Sequence, residues 1–240
     1  MPGPIKTEGI VLRSMRFGEA DRILHVYTRD RGRISAIAKG VRRSRSRFGG
    51  RLEPFSHVAL VLHEGRSDLM TVTGADTVRS HRTLREDART LDCAARACDA
   101  VGRLFETTEP HPEVFNLLAR EMGLLEADAA NATHANQLVF RMKLLLAAGL
   151  APQLSACASC GDREHLSGFS GAHGGVVCLS CEAAAFPLGE EAHEFLVAAV
   201  GRPLAEAPTA GERALRQADR AIAATVEHHG HVKLRPALAG

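Results

Sequence analysis

The chain carries Cys157-Ala158-Ser159-Cys160 and, seventeen residues later, Cys178-Leu179-Ser180-Cys181. Each CxxC pair forms a tight turn that directs two sulfur atoms at one ion, and the loop between the pairs closes a tetrahedron. A shell of four cysteines leaves no open coordination position for water or substrate, so the ion stabilises a fold and activates no nucleophile. The sequence therefore predicts one structural Zn²⁺ ion per chain, with the ligands Cys157, Cys160, Cys178 and Cys181.

Two other uses of these cysteines are weaker. Paired disulfides require export, but residues 1–6 (Met-Pro-Gly-Pro-Ile-Lys) lack the apolar core of a secretory signal. A redox dithiol requires only one pair, and neither pair follows a strand in a βαβ pattern. His165 and His173 lie in the loop and could replace a cysteine ligand, but beside four cysteines we interpret both as exposed loop residues.

Composition indicates an ordinary packed protein. Hydrophobic residues make up 45% of the 240 residues, which is enough for a core. The longest strongly apolar run, residues 144–151, is far shorter than the roughly 20 residues that cross a bilayer. We therefore expect a cytoplasmic location and no membrane partner.

The first third of the chain has the pattern of a small β-protein. Alternating or β-branched apolar segments, separated by glycine-bearing turns, predict five short strands at residues 5–13, 21–28, 33–39, 54–62 and 69–78. Five such strands within about eighty residues fit a small closed barrel such as an OB-fold. An SH3-like barrel would show much the same pattern, and periodicity does not separate the two.

After His81 the pattern changes to that of helices. Apolar residues recur at helical spacing, with Leu91, Cys98 and Phe105 on the face of a first helix and Leu146 and Leu150 on that of a third. The overall prediction is an α+β chain: a small β-barrel such as an OB-fold over residues 1–80, then a helical domain over 81–240. The zinc segment, at about 153–185, is inserted into the helical domain.

Basic charge is concentrated in one part of a chain whose net charge is only +2. Between Arg29 and Arg51 there are nine basic residues and a single acid, Asp30. Residues 39–51 contain six cations and no acid, with glycine and serine that leave the backbone mobile enough to follow a phosphate chain. Such a cluster is typical of a surface that meets nucleic acid, although a merely solvated loop or an acidic protein partner would also explain it. The predicted DNA contacts are Arg33, Lys39, Arg42, Arg43, Arg45, Arg47 and Arg51.

Enzyme motifs are mostly absent from the sequence. There is no GxxxxGK[ST] motif for phosphate binding. His193-Glu194 is followed by Val197 where a zinc protease needs its second histidine, and the zinc deaminase pattern fails because the second CxxC pair would close the metal site. The chain is therefore predicted not to be an enzyme.

The chain resembles the RecO family of bacterial recombination mediators. Besides the two CxxC pairs, the likeness rests on Gly9-Ile10-Val11-Leu12-Arg13, Gly18-Glu19-Ala20-Asp21, residues 27–34 (Tyr-Thr-Arg-Asp-Arg-Gly-Arg-Ile), Ala38-Lys39-Gly40 and Leu52-Glu53-Pro54-Phe55. It covers essentially the whole chain, strongly at residues 9–55 and 157–181. The glycine-rich zinc loop and the histidine-rich C-terminal segment depart from the family pattern.

This resemblance implies a function and partners. A member of the family binds single- and double-stranded DNA without strong sequence preference, anneals complementary strands and helps to load recombinase on DNA coated by single-strand-binding protein. Its implied partners are RecR and the acidic tail of single-strand-binding protein, and its implied location is the nucleoid. The alternative from a different class is a zinc-stabilised adaptor between proteins, whose basic loop binds an acidic partner.

Overall fold

The computed structural model describes residues 3–65 and 69–237. Its contacts divide the chain into two compact units, Met1–Ala129 and Ala130–Gly240. The first unit contains the barrel and the first two helices, and the second contains the four cysteines. No helix among the described residues is long and apolar enough to cross a membrane.

The first unit begins with a closed five-stranded barrel. Its strands are β1 (Ile5–Phe17), β2 (Asp21–Thr28), β3 (Gly32–Ala38), β4 (His57–His63) and β5 (Leu69–Arg79). They are joined in the order β1-β2-β3-β5-β4, and β4 pairs with β1 to close the barrel. All pairs are antiparallel except β3 with β5, which run parallel over residues 35–37 and 69–71. The predicted OB-like barrel is confirmed.

Alternation of apolar side chains explains why these segments form strands. Leu24, Val26, Ile34 and Ala36 lie at alternate positions of β2 and β3, and all four are buried in the barrel core. The predicted strand at residues 5–13 is four residues too short. β1 continues to Phe17 because the register shifts between Val11 and Arg13 and the strand then goes on pairing with β2.

Two helices complete the first unit, α1 (Ala88–Leu104) and α2 (Pro112–Ala127). The carboxylate of Asp87 accepts hydrogen bonds from the first-turn N–H groups of α1, and a proline opens α2, where its missing N–H costs nothing. The prediction that Leu91 faces the core was wrong, since this side chain is 41% exposed. Consecutive residues of a helix are about 100° apart around its axis. Thr90 is buried, so its neighbour Leu91 lies at the edge of the apolar face.

The second unit contains α3 (His134–Ala147), a three-stranded sheet, α4 (Glu190–Gly201) and α5 (Glu212–Thr225). The sheet has the order β7-β6-β8, formed by β6 (Leu166–Ser170), β7 (Gly175–Cys178) and β8 (Phe186–Pro187). The Thr133 hydroxyl caps α3 by accepting a hydrogen bond from Asn136 N. Leu146 and Leu150 were wrongly placed on the inward face: Leu146 is 38% exposed, and Leu150 lies beyond the end of the helix.

The zinc segment lies between α3 and α4, inside the second unit. The structural units group α1 and α2 with the barrel, whereas the predicted division at residue 80 follows the change from strand to helix. That division stays a prediction.

Candidate nucleic-acid interface and metal centre

The basic loop, residues 39–51, follows β3 directly and consists of consecutive turns. Each turn is closed by a backbone hydrogen bond: Arg43 N to Gly40 O (3.1 Å), Ser46 N to Arg43 O (3.0 Å), Gly49 N to Ser46 O (3.3 Å) and Arg51 N to Phe48 O (3.1 Å). The mobile backbone expected from glycine and serine is therefore replaced by an ordered one, because these residues serve as turn formers here.

Buried side chains anchor the basic loop to the barrel. Phe48 is 1% exposed and belongs to the core cluster of the barrel, as does Leu52 immediately after the loop. Val41 packs against the same cluster. Burial of a phenylalanine ring contributes roughly 1.5–3 kcal/mol, which helps to hold the loop in place together with its turn hydrogen bonds.

The six cations of the basic loop project from these turns. Lys39, Arg42, Arg43, Arg45, Arg47 and Arg51 are all exposed. Their hydrogen bonds go to backbone carbonyls: Arg42 Nη1 to Glu19 O (3.0 Å) and Arg51 Nη1 to Arg47 O (3.0 Å). In the stretches 3–65 and 69–237, none of the six forms an ion pair with a carboxylate. Their positive charge is thus available to an anionic ligand.

Arg33 differs from the other predicted DNA contacts. It lies near the start of β3, and Lys39 lies just past the end, so the strand separates them by about 20 Å. Its guanidinium donates to Gly102 O at 2.9 Å and lies 3.7 Å from the Glu106 carboxylate. Arg33 therefore ties the barrel to α1, and the structure does not bring it together with the basic loop. Its role in DNA contact stays a prediction.

Sequence reasoning missed two cations on β1, Arg13 and Arg16, which are exposed. Arg13 pairs with His25 across β1 and β2, and His25 in turn bonds the Ser35 hydroxyl at 3.0 Å. Burial, and then the charges of Arg33 and Arg13, lower the pKa of His25. The barrel surface beside His25 is therefore positive, and these cations were overlooked because they are spaced along a strand and not clustered in a tract.

The four predicted metal ligands do come together. The sulfur atoms of Cys157, Cys160, Cys178 and Cys181 all lie within 4.8 Å of one another, and Cys160 Sγ is 3.7 Å from Cys178 Sγ. Four sulfurs held about 2.3 Å from one zinc ion stand about 3.8 Å apart, so the spacing fits a tetrahedral thiolate site. Among the residues that the structure describes, this is the one such cluster of possible metal ligands.

Backbone groups favour the thiolate form of Cys157, the first cysteine of the first pair. Gly161 N donates to Cys157 O at 2.9 Å and closes the first turn, with Gly161 at φ +82°, a conformation that glycine adopts without strain. The backbone N–H of Cys160, and then those of Cys178 and Ser159, lower the pKa of the Cys157 thiol. A thiolate is the form that binds a metal ion. His165 and His173 are exposed, as predicted.

Residues of α4, of α5 and of the segment after α5 contact the cysteine-bearing segment. His193 of α4 bonds Leu154 O at 2.7 Å. The Arg220 guanidinium of α5 stacks over the Phe186 ring at 4.0 Å. Beyond α5, His229 Nε2–H donates to Gly171 O at 2.7 Å, which gives one member of the histidine-rich C-terminal cluster a structural role.

Comparison with known proteins agrees with this arrangement. The chain matches the family model "Recombination protein O N terminal" over residues 1–81 and "Recombination protein O C terminal" over residues 85–236. It is 42% identical to the DNA repair protein RecO of Rubrobacter xylanophilus, over 90% of this chain and 89% of that protein. The RecO protein of Anaeromyxobacter sp. strain Fw109-5 is 36% identical, over 94% and 91% of the two chains. That of Bifidobacterium adolescentis is 40% identical over 72% of each. The chain therefore belongs to the RecO family of DNA repair proteins.

Proposed function

We propose that this chain acts in recombinational repair by binding single- and double-stranded DNA through the basic loop and annealing complementary strands. The observation that carries the proposal is the set of six exposed cations on an ordered loop, none paired with a carboxylate among the described residues. Guanidinium groups suit phosphate oxygens, to which they donate paired hydrogen bonds. The RecO family is one of DNA repair mediators and not of enzymes.

Annealing follows from the same contacts. Two complementary strands repel each other through their phosphates, and a cationic surface that holds both reduces this repulsion. Phosphate contacts carry no sequence information, and they leave the pairing edges of the bases free. Loading of recombinase on DNA coated by single-strand-binding protein, with RecR and the acidic tail of that protein as partners, is part of the same proposal and is supported by family membership. A location at the nucleoid would follow.

We also propose that the four cysteines hold one structural zinc ion. The donor set is all thiol, the spacing fits a tetrahedron, and a shell of four ligands leaves no position for a substrate. When bound, the ion would act as a crosslink between the two CxxC turns. The chemistry of DNA binding would remain with the basic loop.

The test is the binding and annealing of fluorescent oligonucleotides across a salt series. If all six cations contact phosphates of one strand, log affinity falls with log salt at a slope of roughly −4. Changing Arg42, Arg43, Arg45 and Arg47 together to alanine is expected to make the slope shallower by about 3 and to abolish annealing. The matched control removes four exposed cations of the second unit, Arg163, Arg202, Arg213 and Lys233, and so changes the net charge equally.

The outcomes separate the possible functions. A salt slope that changes in the loop variant and not in the control supports DNA binding through the basic loop. Equal changes in both variants would mean that only net charge matters. If the unmodified protein neither binds nor anneals naked strands at low salt, the adaptor becomes the better account, because an adaptor needs no affinity for DNA.

A further inference from the structure

Phe17 is an exposed aromatic side chain that the fold does not require. It is the last residue of β1 and is 49% exposed, whereas the other eight phenylalanines are buried or half-buried. An apolar ring left in water forgoes the roughly 1.5–3 kcal/mol that burial would contribute. Packing within this unit therefore does not explain the ring.

Hydrogen bonds join the hairpin that carries Phe17 to the basic loop. Phe17 pairs with Asp21 across the β1–β2 turn, and the Asp21 carboxylate accepts from Gly40 N at 2.7 Å. Arg42 N donates to Ala20 O at 2.9 Å, and Arg42 Nη1 donates to Glu19 O at 3.0 Å. The hairpin that carries Phe17 and the start of the basic loop are thus held together as one connected surface.

The strand register places further suitable groups on the same face. Alternate residues of a strand share a face, so Arg13 and Met15 lie on the side of β1 that carries Phe17. Met15 pairs with Ile23 of β2, and both are only partly buried. This face therefore has apolar surface between the exposed cation Arg13 at one end and the ring of Phe17 at the other.

We infer that Phe17 is a stacking platform for an unpaired base, which gives the protein a preference for single-stranded DNA. This inference rests on the DNA binding proposed above. Arginine side chains fix the phosphate chain, and a ring on the same surface meets the flat face of a base. Every base has such a face, so stacking adds affinity without sequence preference. In a duplex both faces of each base are already stacked, and the ring finds no partner.

Charge complementarity favours a nucleic acid over an apolar protein surface as the occupant. The hairpin that carries the ring is hydrogen-bonded to Arg42 at the start of the basic loop, and Lys39 directly follows β3. A polyanion satisfies these cations and the ring together, whereas an apolar protein surface would leave the cations desolvated without partners.

The experiment uses the full chain with Phe17→Ala, with Phe17→Tyr, which keeps the ring, and with Leu91→Ala as a control. Leu91 is a comparably exposed apolar residue on α1, at 41%. Three fluorescent ligands of equal length are compared: an oligothymidine strand, the same strand with consecutive abasic sites, and a duplex. Thermal unfolding checks that each variant is folded.

We expect Phe17→Ala to bind the base-bearing strand about tenfold more weakly and to bind the abasic strand and the duplex as the unmodified protein does. Phe17→Tyr and Leu91→Ala should retain the original affinities. Equal affinity of Phe17→Ala and the unmodified protein for the base-bearing strand would overturn the inference and leave DNA binding intact. An equal loss on all three ligands would also overturn it, because the ring would then act by supporting the basic loop. Absence of binding by the unmodified protein would instead refute the proposed function.

Discussion

Gly32, the first residue of β3, shows how one position constrains the fold. It has φ +54°, and an added methyl group would collide with the backbone atoms of Thr107, Thr108 and Glu109. Gly49 in the basic loop has nearly the same conformation, φ +52°, but open space around it. Comparing substitutions at Gly32 and Gly49 therefore separates the cost of backbone strain from the cost of a steric collision.

We expect Gly49→Ala to cost about 1 kcal/mol of unfolding free energy, the strain of a left-handed alanine. Gly32→Ala should cost about 1–3 kcal/mol more, since backbone atoms cannot move aside as a side chain can. Urea denaturation of the two variants measures the difference. Equal losses would show that the segment at residues 107–109 shifts freely away from the turn.

The burial of His81 leads to a prediction of how the stability of the protein depends on pH. Its ring is 1% exposed and bonds the Glu126 carboxylate at 2.8 Å. Burial lowers its pKa and the nearby Arg79 and Arg85 add to this effect, whereas Glu126 opposes it. As the pH falls below about 6.5, His81 takes up a proton more readily in the unfolded state than in the folded state. The contribution of His81 to stability is therefore fully present above that pH and is lost below it.

We expect the midpoint temperature of thermal unfolding to decrease as the pH is lowered from 7.5 to 5.5. The decrease should be smaller in the His81→Asn variant. Asparagine suits this position because His81 has φ 43°, a left-handed conformation that asparagine tolerates. An equally steep fall in the variant would assign the effect to the other histidines whose pKa burial lowers, His25, His57 and His134.

At the scale of elements, the strands were predictable and the conformation of the basic loop was not. Alternating apolar residues mark β2 and β3 because each strand has one face in the barrel. The basic loop has no such period, and its order depends on the side chains of Phe48 and Leu52, whose burial only the three-dimensional contacts show. Spacing alone was enough to predict that the four cysteines come together, because CxxC turns impose their own geometry.

The metal site supplies the prediction at this scale. Cys160→Ser should reduce bound zinc from about one ion per chain to well below half, because three thiolates and a hydroxyl form a poorer site. Cys93→Ala, at a buried cysteine outside the cluster, should leave the metal content unchanged. Metal analysis of the purified proteins and hydrogen exchange in β6 and β7 report the result. Full zinc occupancy in Cys160→Ser would contradict the four-thiolate assignment.

At the scale of the whole molecule, the two structural units make a prediction about fragments. Contacts between the barrel and the helices of the first unit are extensive: the Tyr27 and Phe105 rings lie 6.3 Å apart, and Arg33 N donates to Thr107 O at 2.9 Å. A barrel cut after residue 80 would expose Tyr27, which is fully buried.

We therefore propose that a fragment of residues 1–129 unfolds cooperatively, whereas one of residues 1–80 has a much lower melting temperature or none. Circular dichroism during heating distinguishes them. Similar melting temperatures would support the division at residue 80 that the sequence predicts. The division at residue 80 rests on periodicity, which reports secondary structure and not which elements share contacts.

The anchoring of the basic loop by Phe48 has a consequence for how its affinity can be tuned. Two buried side chains, Phe48 and Leu52, fix the course of the backbone, and the six cations take no part in the core. Substitutions among the cations therefore alter the electrostatic attraction to a polyanion in steps of about 0.7 in salt slope, with little effect on folding. Because the loop is ordered before it meets its ligand, little conformational entropy remains to be lost on binding. The proposed affinity for DNA is thus adjustable one charge at a time, on a scaffold that stays the same.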